Sequence, residues 1–263
     1  MFDLETLGWG PYFATQLDGD DQGCPPGRVV ADHGTRLEVM TEGGAMALVR
    51  RRSDPPATVG DWLVLAEPAA GAEPRVRRQL TRRSALLRRA AGTSSRPQVM
   101  AANVDVVFLV TAVGSDFNPR RLERMAVAVW EAGARPVVLL NKTDLGTAAA
   151  PLLDTIAASC PGVEGDAVSA LDGSAAAAVR RSLPPGTTGA LLGSSGVGKS
   201  TIVNSLLAAG VQETAPVSAR DGRGRHVTTC RRLFLLPTGG ALIDGPGVRE
   251  LRLWEGEEGL TAA

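Results

Sequence analysis

The chain has 263 residues, of which 28 are basic, 28 are acidic and 44% are hydrophobic. These values, with a mean hydropathy of +0.02, predict a globular protein with room for one large or two modest domains. There is no run of eighteen apolar residues, and several acids lie among the first thirty residues, so we expect neither a membrane span nor a secretory signal. The three cysteines are scattered without a C-x-x-C pair, so we expect a cytoplasmic protein with neither a disulfide framework nor a zinc site.

The N-terminal part of the sequence predicts an extension followed by a small β-barrel. Residues 1–26 form the extension, which ends in the Asp-, Gly- and Pro-rich segment Asp18–Pro26, and we expect this stretch to be a mobile entry. From Gly27 to Glu67, turn residues separate short apolar alternations, a spacing typical of short strands. An RNA-binding OB-fold barrel over residues 27–74 fits this size. A β-rich structural cap without a ligand is the alternative.

An arginine-rich segment follows the predicted barrel. Between Arg75 and Val104 the sequence has eight arginines and no acidic residue. We interpret residues 75–97 as a linker whose guanidinium groups bind RNA phosphates. The alternative is a solvated linker whose arginines pair with acids elsewhere in the chain. The eight are Arg75, Arg77, Arg78, Arg82, Arg83, Arg88, Arg89 and Arg96.

Beyond this segment the pattern changes to alternating strands and helices, which predicts an α/β domain. Asp105–Val110 and Pro136–Leu140 are continuous apolar runs, as expected of buried parallel strands. Between them, Asn118 and Pro119 predict the N-cap and first residue of a helix. The second strand delivers Asn141 at its carboxyl end, the edge at which open α/β sheets bind ligands.

Residues 193–200 read Gly-Ser-Ser-Gly-Val-Gly-Lys-Ser, a complete phosphate-binding loop between an apolar strand and a helical segment. In such a loop, backbone N–H groups surround phosphate oxygens at a helix N-terminus. We expect Lys199 to reach the terminal phosphates and the Ser200 hydroxyl to bind Mg²⁺. A glycine-rich turn without a ligand is the alternative. The predicted nucleotide contacts are Gly193, Ser194, Ser195, Gly196, Val197, Gly198, Lys199, Ser200 and Thr201.

A guanine-reading motif, Asn-Lys-x-Asp, is formed by Asn141, Lys142, Thr143 and Asp144. The Asp144 carboxylate accepts hydrogen bonds from the imino and amino groups of guanine, which adenine lacks. We expect Asn141 to hold the loop and contact the base, and the stem of Lys142 to cover the ring face. Alone, this short motif would also fit a surface turn. Its place after a buried strand, in a chain with a phosphate loop, favours a nucleotide site.

A second base-contacting loop is indicated by Val168, Ser169 and Ala170, where a backbone amide would meet the guanine carbonyl. The only two lysines of the chain, Lys142 and Lys199, lie one in each nucleotide motif. The base-reading motif precedes the phosphate loop, which is the reverse of the ordinary order. This reversal predicts a circularly permuted P-loop GTPase domain.

The remaining phosphate and metal contacts are expected after the phosphate loop. An apolar strand delivers Asp244 toward Mg²⁺, and the amide of Gly247 would meet the γ-phosphate. Residues 221–230 carry two glycines and several basic residues, which predicts a switch with Thr228 or Thr229 as a further magnesium ligand. A plain charged loop is the alternative for this segment.

The order of the motifs and four further segments resemble the ribosome small subunit-dependent GTPase A family. The segments are Gly-Arg-Gly-Arg-His-x-Thr-Thr at 222–229, Asp-x-Pro-Gly-Val-Arg-Glu at 244–250, Gln-Val-Met-Ala-Ala-Asn-Val-Asp at 98–105 and Leu-Arg-Leu-Trp at 251–254. The resemblance covers nearly everything from Gly27 to Ala262. It implies an N-terminal OB-fold barrel, a permuted GTPase domain over residues 98–254 with a tail at 255–263, and late maturation of the small ribosomal subunit through contact with its rRNA. Relatives usually continue into a zinc-binding region, which this sequence does not include, so zinc is not predicted.

The catalytic residue is predicted from the same resemblance. Val248 stands where Ras-like enzymes have a water-orienting glutamine. The resemblance implies that His226 positions the attacking water once the ribosome orders the switch. A structural or RNA-contacting role for His226 is the alternative. We expect a monomer that binds GTP and GDP with Mg²⁺, without membrane contact. A GTP-regulated RNA-binding module with incidental hydrolysis, or a permuted GTPase that serves the large subunit, are the other hypotheses.

Overall fold

The computed structural model describes residues 2–66, 74–88, 98–146, 148–208, 230–237 and 239–245. The N-terminal residues pack against the main hydrophobic core. They form short 3₁₀ turns at Glu5–Leu7 and Gly19–Asp21 and a four-residue helix α1, Pro11–Ala14. Phe13 is buried in the main core, and its ring lies 5.7 Å from that of Trp62. The expectation of a mobile entry is therefore wrong for these residues, because aromatic packing holds them.

Five strands form a barrel where the sequence predicted one, but the fifth lies beyond the predicted bounds of residues 27–74. β1 pairs antiparallel with β2 and β4, β2 pairs with β3, and β4 pairs with β5. Because β3 and β5 also approach each other, the strands close in the order β1-β2-β3-β5-β4, the order of an OB-fold barrel. The strands are β1 (Pro26–Asp32), β2 (Arg36–Thr41), β3 (Gly44–Val49), β4 (Trp62–Ala66) and β5 (Arg75–Gln79).

The barrel extends into the segment that the sequence indicated as a linker. β5 carries one apolar residue, Val76, so it lacks the hydrophobic alternation that marked the other strands. Arg78 on this strand pairs instead with the buried carboxylate of Asp21, 57 positions away. That arginine lowers the pKa of Asp21, mainly through its hydrogen bond. A polar anchor thus replaces an apolar one, which explains why the strand was missed.

Four described arginines of the run take part in ion pairs within the protein. Besides Arg78, Arg82 pairs with the buried Asp61 at 2.7 Å and Arg83 with Asp105 at 2.7 Å. These contacts match the alternative in which the arginines pair with acids elsewhere. The fourth, Arg77, lies 3.4 Å from Asp21 and is exposed. Among the described residues of the run, Arg75 and Arg88 are exposed as well.

The second half of the described chain is an α/β domain with helices against a mostly parallel sheet. A hairpin of β6 (Ala85–Arg88) and β7 (Gln98–Ala102) precedes it. The sheet order is β10-β9-β8-β11-β13-β12, with all neighbours parallel except β12 and β13. Its elements are β8 (Val106–Ala112), α2 (Pro119–Glu131), β9 (Arg135–Asn141), α3 (Ala150–Ser159), β10 (Glu164–Ala167), α4 (Ser174–Ser182), β11 (Thr188–Leu192), α5 (Lys199–Ala208), β12 (Arg231–Leu235) and β13 (Ala241–Asp244).

The predicted start of α2 is confirmed by its cap. The side chain of Asn118 accepts a hydrogen bond from the backbone N–H of Arg121, and Pro119 is the first helical residue. This contact satisfies one of the N–H groups that have no partner inside the helix. Among the described residues, no helix has the length and apolar character needed to cross a membrane.

The barrel and the α/β sheet are joined by backbone pairing. β1 of the barrel pairs antiparallel with β12, with Ala31 opposite Arg232 and Asp32 opposite Arg231. The guanidinium of Arg231 reinforces the junction by donating to the Thr58 hydroxyl at 2.9 Å. One continuous sheet therefore includes strands of both domains.

A buried arginine forms a second junction between the two domains. Arg28 lies on β1 with its side chain fully enclosed, and burial lowers its pKa to about 10. Its guanidinium therefore stays charged at neutral pH, and backbone and hydroxyl oxygens from four segments solvate it. The acceptors are the carbonyl oxygens of Leu7, Gly60 and Asn103 and the Thr188 hydroxyl.

We expect Arg28→Met to lower the free energy of unfolding by about 3 kcal/mol, because it leaves buried acceptors without a donor. Urea denaturation followed by tryptophan fluorescence measures the loss. Both the folded and unfolded states bind the proton of Arg28 below pH 10, so the loss should be the same at about pH 6 and about pH 8. Arg135→Met, which breaks an exposed pair with Glu164, is the control and should cost less than about 1 kcal/mol. Equal effects of the two variants would contradict this role of Arg28.

Candidate guanine-nucleotide site

The predicted nucleotide motifs lie at one edge of the sheet. Asn141 ends β9, Ser169 follows β10, the phosphate loop follows β11, and Asp244 ends β13. These four strands run parallel, so their carboxyl ends meet at the same edge. The fold thus brings together motifs that are far apart in the sequence, at the edge where open α/β sheets bind ligands.

Two glycines of the phosphate loop occupy positions that no side chain fits. Gly193 has φ 153°, and a Cβ there would lie 2.2 Å from the carbonyl oxygen of Val110. Gly198 has φ 104°, and its Cβ would lie 2.2 Å from Nδ2 of Asn141. The backbone therefore packs closely against β8 and the base-reading motif before α5 begins at Lys199. This geometry sets the loop at a helix N-terminus, where backbone N–H groups favour anions.

Lys199 is folded against its own loop. Only 7% of the residue is exposed, and its Nζ donates hydrogen bonds to the carbonyl oxygens of Gly193 at 2.7 Å and Ser194 at 2.5 Å. The positive charge is thus held within the loop whose amides are the expected phosphate donors. Ser195, Gly196 and Thr201 present exposed surface around it.

Asn141 connects the phosphate loop to the second base-contacting loop. Its buried side chain donates through Nδ2 to the carbonyl oxygen of Val197 at 2.7 Å. Its Oδ1 accepts a hydrogen bond from the backbone N–H of Ala170 at 2.9 Å. These contacts are those of a loop-holding residue. Contact of Asn141 or the Ala170 amide with a base stays a prediction.

Asp144 is exposed at the surface and is oriented by Ser169. The Ser169 hydroxyl donates to Oδ1 of Asp144 at 2.6 Å and accepts from the backbone N–H of Leu171 at 3.1 Å. Thr143 also stabilises this turn, because its backbone amide and its hydroxyl both donate hydrogen bonds to the carbonyl oxygen of Val168. Lys142 precedes the turn with φ 65°. The carboxylate that is predicted to read the base therefore stands on a hydrogen-bonded turn, with one oxygen already engaged.

Two supporting residues of this site, Ser174 and Asp172, were missed at the sequence level. The Ser174 hydroxyl accepts a hydrogen bond from the Ser169 N–H at 2.8 Å. In the same turn, the Asp172 carboxylate accepts from the Ser174 N–H at 2.8 Å. Hydrogen bonding of this carboxylate to the side chain of Ser174, and then to its backbone, lowers the pKa of Asp172. The helix that begins at Ser174, shortly after Ser169 and Ala170, was the only sequence signal that could have indicated these two residues.

Oxygen atoms suited to a magnesium ion come from two neighbouring elements. Asp244 is buried at the end of β13, which pairs with β11, and Ser200 lies exposed in the first turn of α5. Carboxylate and hydroxyl oxygens are the ligands that Mg²⁺ prefers. The other predicted contacts, His226, Thr228, Thr229 and Gly247, lie outside the described residues, as does Val248. Within the described residues, no group of three His, Cys, Asp or Glu side chains is close enough to hold a metal by itself.

Comparison with known proteins identifies the family. A family model described as RsgA GTPase matches residues 79–254. The chain belongs to the RsgA GTPase family. A relative from Methanosarcina acetivorans, named "Small ribosomal subunit biogenesis GTPase RsgA", is 44% identical over 243 residues, which are 90% of this chain and 65% of that protein. RsgA 2 of Vibrio parahaemolyticus is 40% identical over 261 residues, 99% of this chain and 72% of that protein. The chain thus spans about two thirds of the length of these RsgA relatives.

Solved structures of similar fold support the permuted topology. YjeQ from Thermotoga maritima superposes with a TM-score of 0.60 at 23% identity, covering 86% of this chain and 75% of that chain. YloQ, described as a circularly permuted GTPase, has the same TM-score at 22% identity and covers 89% of this chain and 75% of its own. The predicted fold class, a permuted GTPase domain behind an N-terminal barrel, is confirmed for this RsgA family member.

Proposed function

We propose that this protein binds GTP, hydrolyses it to GDP and phosphate, and acts in the late maturation of the small ribosomal subunit. The observation that carries the proposal is the contact of Asn141 with both Val197 and Ala170. This side chain joins the phosphate loop and the base-contacting loop, so one nucleotide would span both. The names of the relatives supply the ribosomal partner. Such a role would be carried out in the cytoplasm.

Different described residues would bind different parts of the nucleotide. The loop amides between Gly193 and Ser200 would donate to the phosphates, and Lys199 would exchange its two carbonyl contacts for phosphate oxygens. Asp144 would accept from the guanine edge while Ser169 keeps its carboxylate oriented. Ser200 and Asp244 would hold Mg²⁺, with Thr228 or Thr229 as a further ligand. The ion would neutralise charge on the β- and γ-phosphate oxygens.

Partner binding is proposed for the barrel side of the molecule. Arg75 and Arg77 are exposed on β5, although Arg77 also lies 3.4 Å from Asp21. Arginine forks suit the phosphate oxygens of rRNA. This supports RNA contact by a smaller set of arginines than the whole run. The ion-paired Arg78 and Arg82 have structural partners instead.

A GTPase assay with separated ribosomal subunits tests this function. Because Val248 replaces the glutamine of Ras-like enzymes, the protein alone should hydrolyse GTP at about 10⁻³ s⁻¹ or slower. Small subunits should accelerate single-turnover hydrolysis, whereas large subunits should not. Stimulation by the large subunit would favour the alternative partner. Association with the small subunit that depends on GTP but leaves the rate unchanged would favour a GTP-regulated RNA-binding module.

The same assay examines the proposed role of His226. We expect His226→Ala to keep GTP binding and small-subunit association but to lose most of the stimulation, roughly 100-fold, since a positioned proton acceptor typically contributes that much. His33→Ala is the matched control, because His33 is bound to Glu38 on the barrel, at 2.8 Å. If His226→Ala is stimulated as strongly as the parent, another group positions the attacking water.

A further inference from the structure

Strand β12 connects the predicted magnesium end of the nucleotide site to the barrel. In the described sheet it lies between β13, which ends at Asp244, and β1 of the barrel. Arg232 on β12 is opposite Asp244 on one side and opposite Ala31 on the other. A single strand therefore separates the carboxylate that is predicted to bind Mg²⁺ from the barrel.

The first residue of β12, Arg231, packs closely against the residue that follows Asp244. Gly245 has φ 149°, and a Cβ there would lie 2.6 Å from the Cα of Arg231 and 3.0 Å from the carbonyl oxygen of Cys230. Only glycine fits in this space. Because close-packed atoms leave no room to absorb a displacement, a movement of Gly245 toward β12 has to move Arg231 as well.

The side chain of Arg231 is bound outside the nucleotide site. Only 16% of it is exposed. Its Nη1 donates to the Thr58 hydroxyl at 2.9 Å and to the carbonyl oxygen of Met100 at 3.2 Å, and the Asp32 carboxylate lies 3.9 Å away. Hydrogen bonds from a charged donor are stronger than those between neutral groups. A displacement of Arg231 should therefore act on Thr58.

Thr58 is joined to the part of the barrel that carries the exposed arginines. It is buried in the loop between β3 and β4, and its backbone N–H donates to the Asp61 carboxylate at 2.7 Å. Asp61 in turn pairs with Arg82. After this loop the chain enters β4, which pairs with β5, the strand of Arg75 and Arg77. The contacts thus extend from the end of β13 to the strand that is proposed to bind rRNA.

We propose that Arg231 is a positioning residue that couples the phosphate end of the nucleotide site to the barrel, so that the bound nucleotide sets the affinity of the barrel for rRNA. The inference rests on the proposed function and adds a regulatory residue to it. With GTP, Mg²⁺ and the γ-phosphate would hold Asp244, and with GDP that contact is lost. The change at Gly245 would shift Arg231 and with it Thr58. Loss of Arg231 should therefore remove the difference between the two states rather than the binding itself.

The test compares the affinity for small ribosomal subunits in the presence of GDP and of a non-hydrolysable GTP analogue. In the parent the analogue should give the tighter association, by a ratio of about 5- to 150-fold, which is typical of coupled sites. Arg231→Met should bring this ratio to within about 2-fold of unity, while the protein without subunits keeps its affinities for GTP and GDP. Because coupling is reciprocal, subunits should raise the preference for the analogue over GDP by the same factor in the parent only.

Thr58→Val tests the same contact from the barrel side. Valine has a similar shape but lacks the hydroxyl acceptor, so the ratio should fall as in Arg231→Met. The double variant should lose no more than either single variant, because both remove the same hydrogen bond. Arg50→Met is the matched control. Arg50 lies 3.3 Å from the same Asp32 and donates to the carbonyl oxygen of Ala57, both in the barrel, and its loss should leave the ratio unchanged.

The outcomes separate this inference from the function on which it rests. If the parent associates with small subunits in neither state, the proposed function fails. If the parent associates equally in both states, or if Arg231→Met and Thr58→Val keep the parent ratio, only the coupling role is overturned. An equal loss in Arg50→Met would also overturn it, since the loss of charge would then be the cause. If Arg231→Met does not fold, the ratio measured for Thr58→Val decides.

Discussion

Lys199→Ala is expected to weaken GTP binding on the order of 100-fold or more. The ammonium would bridge the terminal phosphates, and hydrogen bonds between charged groups contribute about 1.5–3 kcal/mol each, with a tenfold loss for every 1.4 kcal/mol. Its present acceptors, the carbonyl oxygens of Gly193 and Ser194, show that Nζ already lies within the loop. Calorimetric titration with GTP in the presence of Mg²⁺ measures the change.

Arg181→Ala is the control for loss of a positive charge. Arg181 pairs with Asp166 on the exposed surface of α4, so its removal should leave GTP affinity unchanged. Ser200→Ala should weaken only the magnesium-dependent part of binding, which repeating the titration with a chelator would isolate. Normal GTP affinity in Lys199→Ala would show that residues 193–200 do not bind phosphate.

The second large effect is a change of base. The parent should prefer GTP to ATP by roughly 10⁴-fold, because adenine would leave the Asp144 acceptors without donors. Asp144→Asn should reverse the preference toward xanthine nucleotides. The new amide oxygen can keep the hydrogen bond from Ser169 that Asp144 Oδ1 accepts at 2.6 Å. Its NH₂ group then faces the carbonyl that xanthine carries in place of the guanine amino group.

Competition between labelled GDP and unlabelled xanthosine diphosphate measures this reversal. Asp172→Asn makes the same chemical change in the neighbouring loop, where the carboxylate accepts a hydrogen bond from the Ser174 N–H. It should leave base preference unchanged. Equal affinity of the parent for ATP and GTP would refute the assignment of Asp144.

The motifs and most elements of this fold were predictable because their signals are local. The phosphate loop, the Asn118 cap and the apolar strands each depend on residues that are adjacent in sequence, and each lies where the sequence indicated. The strand β5 was missed because Arg78 anchors it through Asp21, so hydrophobic alternation was lacking. The N-terminal residues were misread for a related reason, since Phe13 is held by the distant ring of Trp62.

The sequence by itself determined the permuted order of the motifs and predicted the class of ligand, because contiguous residues carry both signals. Only the tertiary structure decided which arginines have partners within the protein. Arg28, Arg78 and Arg82 have the same charge as the exposed arginines, but each is bound by acceptors far away in the chain. The junction of the barrel with the GTPase sheet through β1 and β12 was likewise decided in three dimensions. The burial of a charged side chain and the pairing of two strands depend on partners that folding brings together. The order of residues along the chain does not show which partners these are.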